Sequence, residues 1–241
     1  MSIKVSSVNV QNRYKVKKYA GVVGNNNYHE KLLNYLEDNK IDIAGLQEVT
    51  SLWENKIKDK FNVSGKSRFN ILYRIFLPQF EEKNSVISKH SILKSTTYHL
   101  PHFPSLLPRI ITVSIISIDN DEYVVFNTHL DYKDEKVRFR EITKILKIID
   151  RYEKYPNKIF MGDLNMPTTS KVFIHFCKEM KNKNFTYVDY KDTTHKKKKS
   201  AIDHIFISTN LRVVDKKIFK DEKYNFSDHY PVYLEIKKEI S

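Results

Sequence analysis

Residues 159–167 read IFMGDLNMP. An apolar run stops at Gly162, presents Asp163 and Asn165 on either side of Leu164, and closes with Pro167. Alternate residues of an extended segment point the same way. Asp163 and Asn165 are therefore expected to share one face while Leu164 packs behind them. A carboxylate and an amide delivered together at a strand's end place useful chemistry at the rim of a sheet. The competing reading is a plain Asp/Asn turn, because both side chains readily bond nearby backbone. The rest of the chain chooses between the two.

Just upstream, Lys136–Tyr152 carries Val137, Ile142, Ile145, Leu146 and Ile149 at helical spacing. Lys158–Met161 is then the strand that delivers Asp163. Arg109–Ile118 and Tyr123–Asn127 are β-branched runs around Asp119-Asn120-Asp121-Glu122, the pattern of a hairpin with a polar turn. Near the start, Ile3, Val5, Val8 and Val10 alternate with polar residues apart from one slip. Leu32, Leu33 and Leu36 mark a helix over Tyr28–Asn39, and Ile41–Val49 is a buried strand ending in Gln47 and Glu48. Leu52, Trp53 and Ile57 suit a short helix, Phe69–Phe76 and Asn84–Ser88 suit strands, and the proline-rich segment 95–108 suits a loop. Downstream, Phe173–Met180 is a helix, 181–200 is polar, and Ala201–Ser208, Leu211–Lys217 and Tyr230–Ile236 are strands. Strands on both sides of each helix call for sheets covered by helices. No repeat or simple linker divides the 241 residues, which predicts one domain over 1–241.

Lys and Arg number 42 against 29 Asp and Glu, a formal net charge of +13. Such an excess attracts polyanions through counterion release without naming one, since anionic lipid responds as well. The single cysteine, Cys177, excludes an intrachain disulfide. No stretch approaches the roughly 18 uninterrupted apolar residues of a spanning helix, and MSIKVSSVNV lacks an apolar leader core. An intracellular, monomeric protein without stable membrane insertion is the expectation.

Polar groups gather where strands begin or end: Asn9; Glu48; Asn127 and His129; Asp163 and Asn165; Asp203 and His204; Asp228 and His229. Their repeated placement beside apolar runs predicts one rim on which they meet. The oxygen donors Asn9, Glu48, Asp163, Asn165 and Asp228 suit a hard cation such as Mg²⁺. Zinc is disfavoured: Cys177 has no companion and the nine histidines lack HExxH spacing. Bland alternatives stand beside each residue. Glu48 could cap a strand–helix junction, His129 could be structural, Lys196–Lys199 could be a solvated loop, and Arg109 could be a rim cation or a phosphate contact. Asp228-His229 is harder to dismiss, because charge just ahead of an apolar strand is costly unless paired.

Taken together and in order, these segments resemble the endonuclease/exonuclease/phosphatase superfamily, the DNase I-like group. The resemblance rests on SVN (Asn9), IAGLQEV (Glu48), NTHLDY (His129), MGDLNMP (Asp163, Asn165), AIDHIFIS (Asp203) and SDHYPV (Asp228, His229), spread over nearly the whole chain. It implies an α/β fold, a four-layered αββα sandwich of two mixed β-sheets flanked by helices. It also implies Mg²⁺, with Mn²⁺ substituting, held by Glu48 with Asn9, and a further metal residue in Asp228. In-line attack by water on a phosphorus ester would use Asp163 to orient or deprotonate the water and Asn165 to hold a non-bridging oxygen. His229 would stand at the scissile phosphate with its tautomer fixed by Asp203, His129 would contact the phosphate or leaving group, and Arg109 would lie beside it. Two departures are visible. EEKNSVIS lacks glycine where the family segment is usually glycine-rich, and the partner of His129 is unassigned among Tyr73, Glu81 and Glu82.

The positive charge, the basic segments 11–18 and 196–199 (Lys196, Lys197 and Lys198 among them) and the interspersed aromatics favour DNA as substrate. The alternative within the same chemistry is a 5′-tyrosyl-DNA adduct, a phospholipid or an inositol phosphate, with HLPHFPSLL (99–107) as the stretch a membrane substrate would need. A non-catalytic binding module is least expected, since a retired site has no physical reason to keep charges together. The reading requires Asp163 to face His229 across a phosphate-sized gap, Asn165 on the same side and Leu164 buried.

Overall fold

The structure, a computed structural model, describes residues 2–12, 28–68, 81–105 and 107–239. Its strands are β1 (Ser2–Asn9), β2 (Ile43–Val49), β3 (Asn62–Ser64), β4 (Lys83–Ser88), β5 (Ser91–His99), β6 (Ile110–Ile118), β7 (Asp121–His129), β8 (Asn157–Asp163), β9 (Phe185–Tyr187), β10 (Asp203–Ser208), β11 (Leu211–Ile218) and β12 (Val232–Lys238). They form two six-stranded sheets, β11-β12-β1-β2-β4-β3 and β5-β6-β7-β8-β10-β9. Each sheet is antiparallel except for one central parallel pair, β1–β2 in the first and β7–β8 in the second. The helices are α1 (Tyr28–Asp38), α2 (Ser51–Ile57), α3 (Glu135–Asp150) and α4 (Lys171–Asn182).

Period-2 alternation sorts the apolar residues into three cores, and the three cores define four layers. Ile3 and Val5 of β1, Ile159 and Met161 of β8, and Ile205 and Ile207 of β10 pack between the sheets. Phe126, Phe160 and Phe206, on the opposite faces of their strands, pack against Ile142 and Ile145 of α3 and Phe173 and Phe176 of α4. Val8, Ala44 and Leu46 pack against Leu32 and Leu36 of α1 and Trp53 of α2. This is the αββα sandwich of two mixed sheets. The slip in β1 marks the residue where apolar packing changes faces: Ile3 and Val5 face the other sheet, whereas Val8 and Val10 face the helices.

Local chemistry fixes the ends of the elements. Asp134 caps α3 by accepting the N–H groups of Lys136 and Val137, and Ser170 caps α4 by accepting that of Phe173. The β6–β7 turn needs only Asp119 and Asn120, both left-handed at φ 50° and 67°, the twist that suits a two-residue hairpin. Two features differ from the expectation, and one part of it goes untested. Residues 95–99 continue β5, because they pair with β6 from Ser95↔Ser114 to His99↔Ile110. The short strands β3 and β9 carry too few residues to show a period. The strand expected over Phe69–Phe76 and the basic residues 13–18 lie outside the described residues.

Gly162 is a backbone position that the fold cannot vary. It pairs with Thr128 at φ 154°, and a Cβ there would lie 2.0 Å from the Thr128 carbonyl oxygen. Backbone on both sides leaves nothing to yield. Gly162→Ala should lower unfolding free energy by at least about 3 kcal/mol in a denaturant titration. A loss under about 0.5 kcal/mol would show that β7 and β8 separate freely at this point.

Candidate active site

The inward faces that build the inter-sheet core turn polar at one end. On β7, Tyr123 and Val125 are followed in the same alternation by Asn127 and His129. On β8, Ile159 and Met161 are followed by Asp163, and on β10 Asp203 precedes Ile205 and Ile207. Register aligns them, since His129 pairs with Asp163 and Asp163 with Asp203. Behind this rim, Asn127 ties the sheets together. Its amide donates to the carbonyls of Leu46 and Ser85 and its oxygen accepts from Gln47 Nε2 at 2.7 Å. Gly45 admits that contact, because a Cβ would meet Met161 Sδ at 2.6 Å and Asn127 Oδ1 at 2.8 Å. Asn127 is therefore a sheet-to-sheet fastener, set back from the rim.

Asp163 is the centre of the rim and is 2 % exposed. Its Oδ2 accepts from Asn9 Nδ2 at 3.1 Å and lies 3.5 Å from His129 Nε2 and 3.6 Å from His229 Nε2. Its Oδ1 accepts the backbone N–H of Asn165 at 2.9 Å. His229 Nδ1 lies 2.9 Å from Asp203 Oδ2, so this imidazole sits between two carboxylates. Burial alone would drive His229 towards its neutral form, but Asp203 and Asp163 outweigh it and raise its pKa to about 10. Burial likewise opposes the charge of Asp163, yet His129, His229 and the two hydrogen bonds hold it below the usual carboxylate range. Asp203 goes the other way: burial, reinforced by the like charge of Asp163, raises it despite His229.

A second carboxylate supports the first. Glu82 is buried beside β4 and is met by Arg68 at 2.9 Å, Arg109 at 2.8 Å and His129 Nδ1 at 3.1 Å. Burial would raise its pKa, but Arg68, Arg109 and His129 hold it well below the ordinary value. His129 thus bridges Glu82 and Asp163, one carboxylate at each nitrogen. Of the three residues considered as its partner, Glu82 takes the place. Glu81 instead accepts from the backbone and hydroxyl of Ser51, and Tyr73 lies outside the described residues. The sequence held a usable signal: Glu81-Glu82-Lys83 stands directly before an inward strand, where charge must be paired.

Other expected residues are placed differently from the simple reading. Asp163 and His229 are in near contact, with no phosphate-sized gap between them. Asn165 does not follow the extended alternation, because it is left-handed at φ 50° and closes an Asx turn on Asp163. Its Nδ2 donates to the Leu130 carbonyl at 3.1 Å and its Oδ1 accepts from Lys198 at 3.3 Å. Leu164 is buried, as expected. Asn9 turns its amide nitrogen towards Asp163 and, at 3.5 Å, Glu48, while its oxygen accepts from Gln11 N–H. As placed, it positions the two carboxylates and offers neither of them an oxygen rival. Arg109 is buried against Glu82 and does not form the open rim cation considered from sequence. His204 faces away from the rim, with Nε2 against the Met166 carbonyl and Nδ1 against Tyr187.

Asp228 lies beside His195. The two are 3.8 Å apart, and the His195 ring meets the His229 ring edge-on at 4.6 Å. His195 escaped the sequence reading because it opens a run of lysines that looks solvated. In the fold, residues 194–196 pair with 228–230 through Lys196 N–H to the Asp228 carbonyl and Tyr230 N–H to the Thr194 carbonyl. The lysine loop is thereby laid along the rim. Lys197 donates its backbone N–H to His195 Nδ1. Among the described residues, Asp163, Asp203 and His229, and also His195, Asp228 and His229, each bring three possible ligand atoms within 4.8 Å of one another.

A family model described as the endonuclease/exonuclease/phosphatase family matches residues 6–229. The chain belongs to that family. This member's fold is similar to an endonuclease/exonuclease/phosphatase family protein from Bacteroides thetaiotaomicron, 17% identical, covering 100% of this chain and 99% of that one at a TM-score of 0.82. It is also similar to the mannosyl-6-phosphatase of Bacteroides thetaiotaomicron VPI-5482, 18% identical, covering 98% and 99% at 0.77. A third is ANGEL2, a 2′,3′-cyclic phosphatase, in complex with adenosine-2′,3′-vanadate, 14% identical, covering 100% and 96% at 0.80. No curated protein sequence matches the chain. Identities this low carry the fold, and the family carries the general activity, hydrolysis of a phosphoric ester.

The charge arrangement has a pH signature. A pKa raised from 6.5 to about 10 means that His229 stabilises the fold fully below about pH 6.5 and that this contribution fades as pH rises through about 10. In metal-free protein, the NMR signals of the His229 ring should stay those of an imidazolium up to about pH 9. A midpoint near 6.5 would refute the ion-paired arrangement. Separately, Glu82→Ala should cost about 3–5 kcal/mol in denaturant unfolding, because it leaves Arg68 and Arg109 buried without their carboxylate. A cost below about 1 kcal/mol would remove Glu82 from its supporting place.

Proposed function

We propose that this chain is a Mg²⁺-dependent nuclease that hydrolyses DNA phosphodiester bonds, with Mn²⁺ able to replace Mg²⁺. The observation that carries this reading is the coupling of an anionic Asp163 and a cationic His229 on a rim bordered by the lysine loop, with Lys198 already reaching Asn165. A rim with acid, base and a basic border suits an anionic ester embedded in a polyanion.

The roles follow from protonation. His229, raised to about 10, has no lone pair to offer at neutral pH. It therefore serves as the cation that stabilises charge on the phosphoryl oxygens. Asp163, held anionic, accepts the proton of the attacking water and orients it in line with the leaving oxygen. Asp203 fixes the His229 ring from behind, and Ser227 fixes its backbone by accepting the His229 N–H while donating to the Asn9 carbonyl. His129, anchored by Glu82, lies on the opposite side of Asp163 and can contact the phosphate or leaving group. Asn165 keeps one amide N–H beyond its bond to Leu130, enough for a non-bridging oxygen.

The donor set fits a hard divalent cation. The Asn9 amide nitrogen faces the carboxylates of both Glu48 and Asp163, and two carboxylates that meet at one amide supply the oxygen donors such a cation takes. Glu48 itself is left-handed at φ 57° in a break of the β2–β4 register, and it accepts the Asn12 N–H at 2.8 Å. That strained, tethered backbone aims its carboxylate at the rim. Bound there, Mg²⁺ would neutralise phosphoryl charge.

A substrate panel tests the reading: single-stranded and duplex DNA, RNA, a 5′-tyrosyl oligonucleotide, sphingomyelin, an inositol phosphate, mannose 6-phosphate and adenosine 2′,3′-cyclic phosphate. The last two enter because similar structures are named for such activities. DNA should be cut with Mg²⁺ and left intact with EDTA, and His229→Ala or Asp163→Ala should each lower kcat/KM by about 10³. DNA left intact while a sugar phosphate, cyclic phosphate or lipid turns over would overturn the assignment.

A further inference from the structure

The buried face of α3 carries one carboxylate. Val137, Glu141 and Ile145 stand four apart on that face, with Ile142, Ile148 and Ile149 around them, and Glu141 is fully buried. A charge there is costly unless it is compensated, and no step of the hydrolysis touches it. Glu141 Oε2 accepts the Asp131 N–H at 2.9 Å, while Oε1 is buried without a hydrogen-bond partner among the described residues. Such a bare oxygen costs far less on a neutral carboxyl than on an anion.

Three charged groups face Glu141: Asp131 from the loop after β7, Arg138 from its own helix, and Arg109 from the residue before β6. Burial, backed by the like charge of Asp131, outweighs the Asp131 N–H and the two arginines and raises Glu141 to about 7. Burial opposes the charge of Asp131 too. The N–H groups of Asp134 and Lys133, the Ser105 side chain and Arg109 nevertheless hold it below the usual carboxylate range. The stability that neutral Glu141 supports is complete below its ordinary 4.5 and is lost as pH rises through about 7.

Glu141 reaches the rim by two routes. The first is the chain itself. Asp131 follows His129 by two residues, and α3 grips it twice, Glu141 on its N–H and Arg138 on its carbonyl at 3.0 Å. Between them, Leu130 donates its N–H to the Asp163 carbonyl at 3.0 Å and accepts from Asn165 Nδ2 at 3.1 Å. One short segment thus hangs from α3 at Asp131 and carries His129 and Asn165 at its other end. The second route is charge. Arg109 pairs with Glu82, the carboxylate that orients His129, so a charge appearing on Glu141 draws on the same cation.

We propose that Glu141 is a positioning residue for the reaction: protonated, it pegs residues 130–131 to α3 and keeps His129 and Asn165 in place, and on losing its proton it loosens them. Ionised Glu141 and Asp131 would be two buried anions joined through one N–H, and like charges so placed push apart. This role rests on the nuclease reading above and adds to it an internal brake that engages as pH rises.

The test has two arms. In metal-free protein, the NMR signals of the Leu130 and Asp131 N–H groups and the Asn165 side-chain amide should move together with one midpoint near pH 7. In Glu141→Gln they should stay flat. Glutamine keeps an oxygen for the Asp131 N–H and carries no charge, so the fold should survive. With Mg²⁺ and labelled duplex DNA, the ratio of Glu141→Gln to wild-type kcat should rise at least about threefold between roughly pH 6 and pH 8.5. The ratio cancels the ionisations that both proteins share, and a merely structural role would change it by one factor at every pH. Amide signals without a midpoint between about 6 and 8, or a ratio independent of pH, would overturn the positioning role and leave the nuclease reading standing. DNA left uncut by the wild-type enzyme would defeat both.

Discussion

A buried carboxylate needs compensation from its surroundings, and Asp163 finds it from three directions. Asn9 reaches it from β1 in one sheet, His129 from β7 in the other, and His229 from the residues leading into β12. An anion so enclosed would be costly without these partners. The same contacts therefore hold the two sheets in register at this end and fix the charges that would act on a phosphate. Position and charge are one constraint here, which is why the polar end of the inter-sheet core is also the candidate site.

The arrangement is layered. Asp203 and Glu82 stand behind the imidazoles His229 and His129, one carboxylate for each ring, and Glu82 is itself balanced by Arg68 and Arg109. Each ring is oriented by one carboxylate while it faces the shared Asp163. That geometry favours cationic His229 and anionic Asp163 together, the pairing that separates their proposed tasks into charge stabilisation and proton acceptance.

Much of this was legible in the chain. Inward residues two apart, such as Ile159 and Met161 leading to Asp163, reveal both the strand and the polar group at its tip. Apolar residues three and four apart reveal α3 and its packing face. What period cannot show is the backbone after the strand ends. Asn165 adopts a left-handed turn that bonds back to Asp163, so the stretch is a strand end and an Asx turn at once, and the shared-face argument was too simple. Glu82 could be narrowed only to one of three candidates and His195 stayed hidden, because both sit in charged runs whose burial depends on how the loops fold over the rim. Arg109 was visible as a cation, but its partner was 27 residues away and only the fold joins them.

The central claim is that Asp163 and His229 act as one electrostatic unit, and a double-mutant cycle tests it most directly. Asp163→Asn, His229→Gln and the double variant would be compared with the parent by denaturant unfolding in metal-free buffer near pH 7. The account predicts a coupling of at least about 2 kcal/mol, since each substitution removes what compensates the other. Additivity within about 0.5 kcal/mol would contradict it.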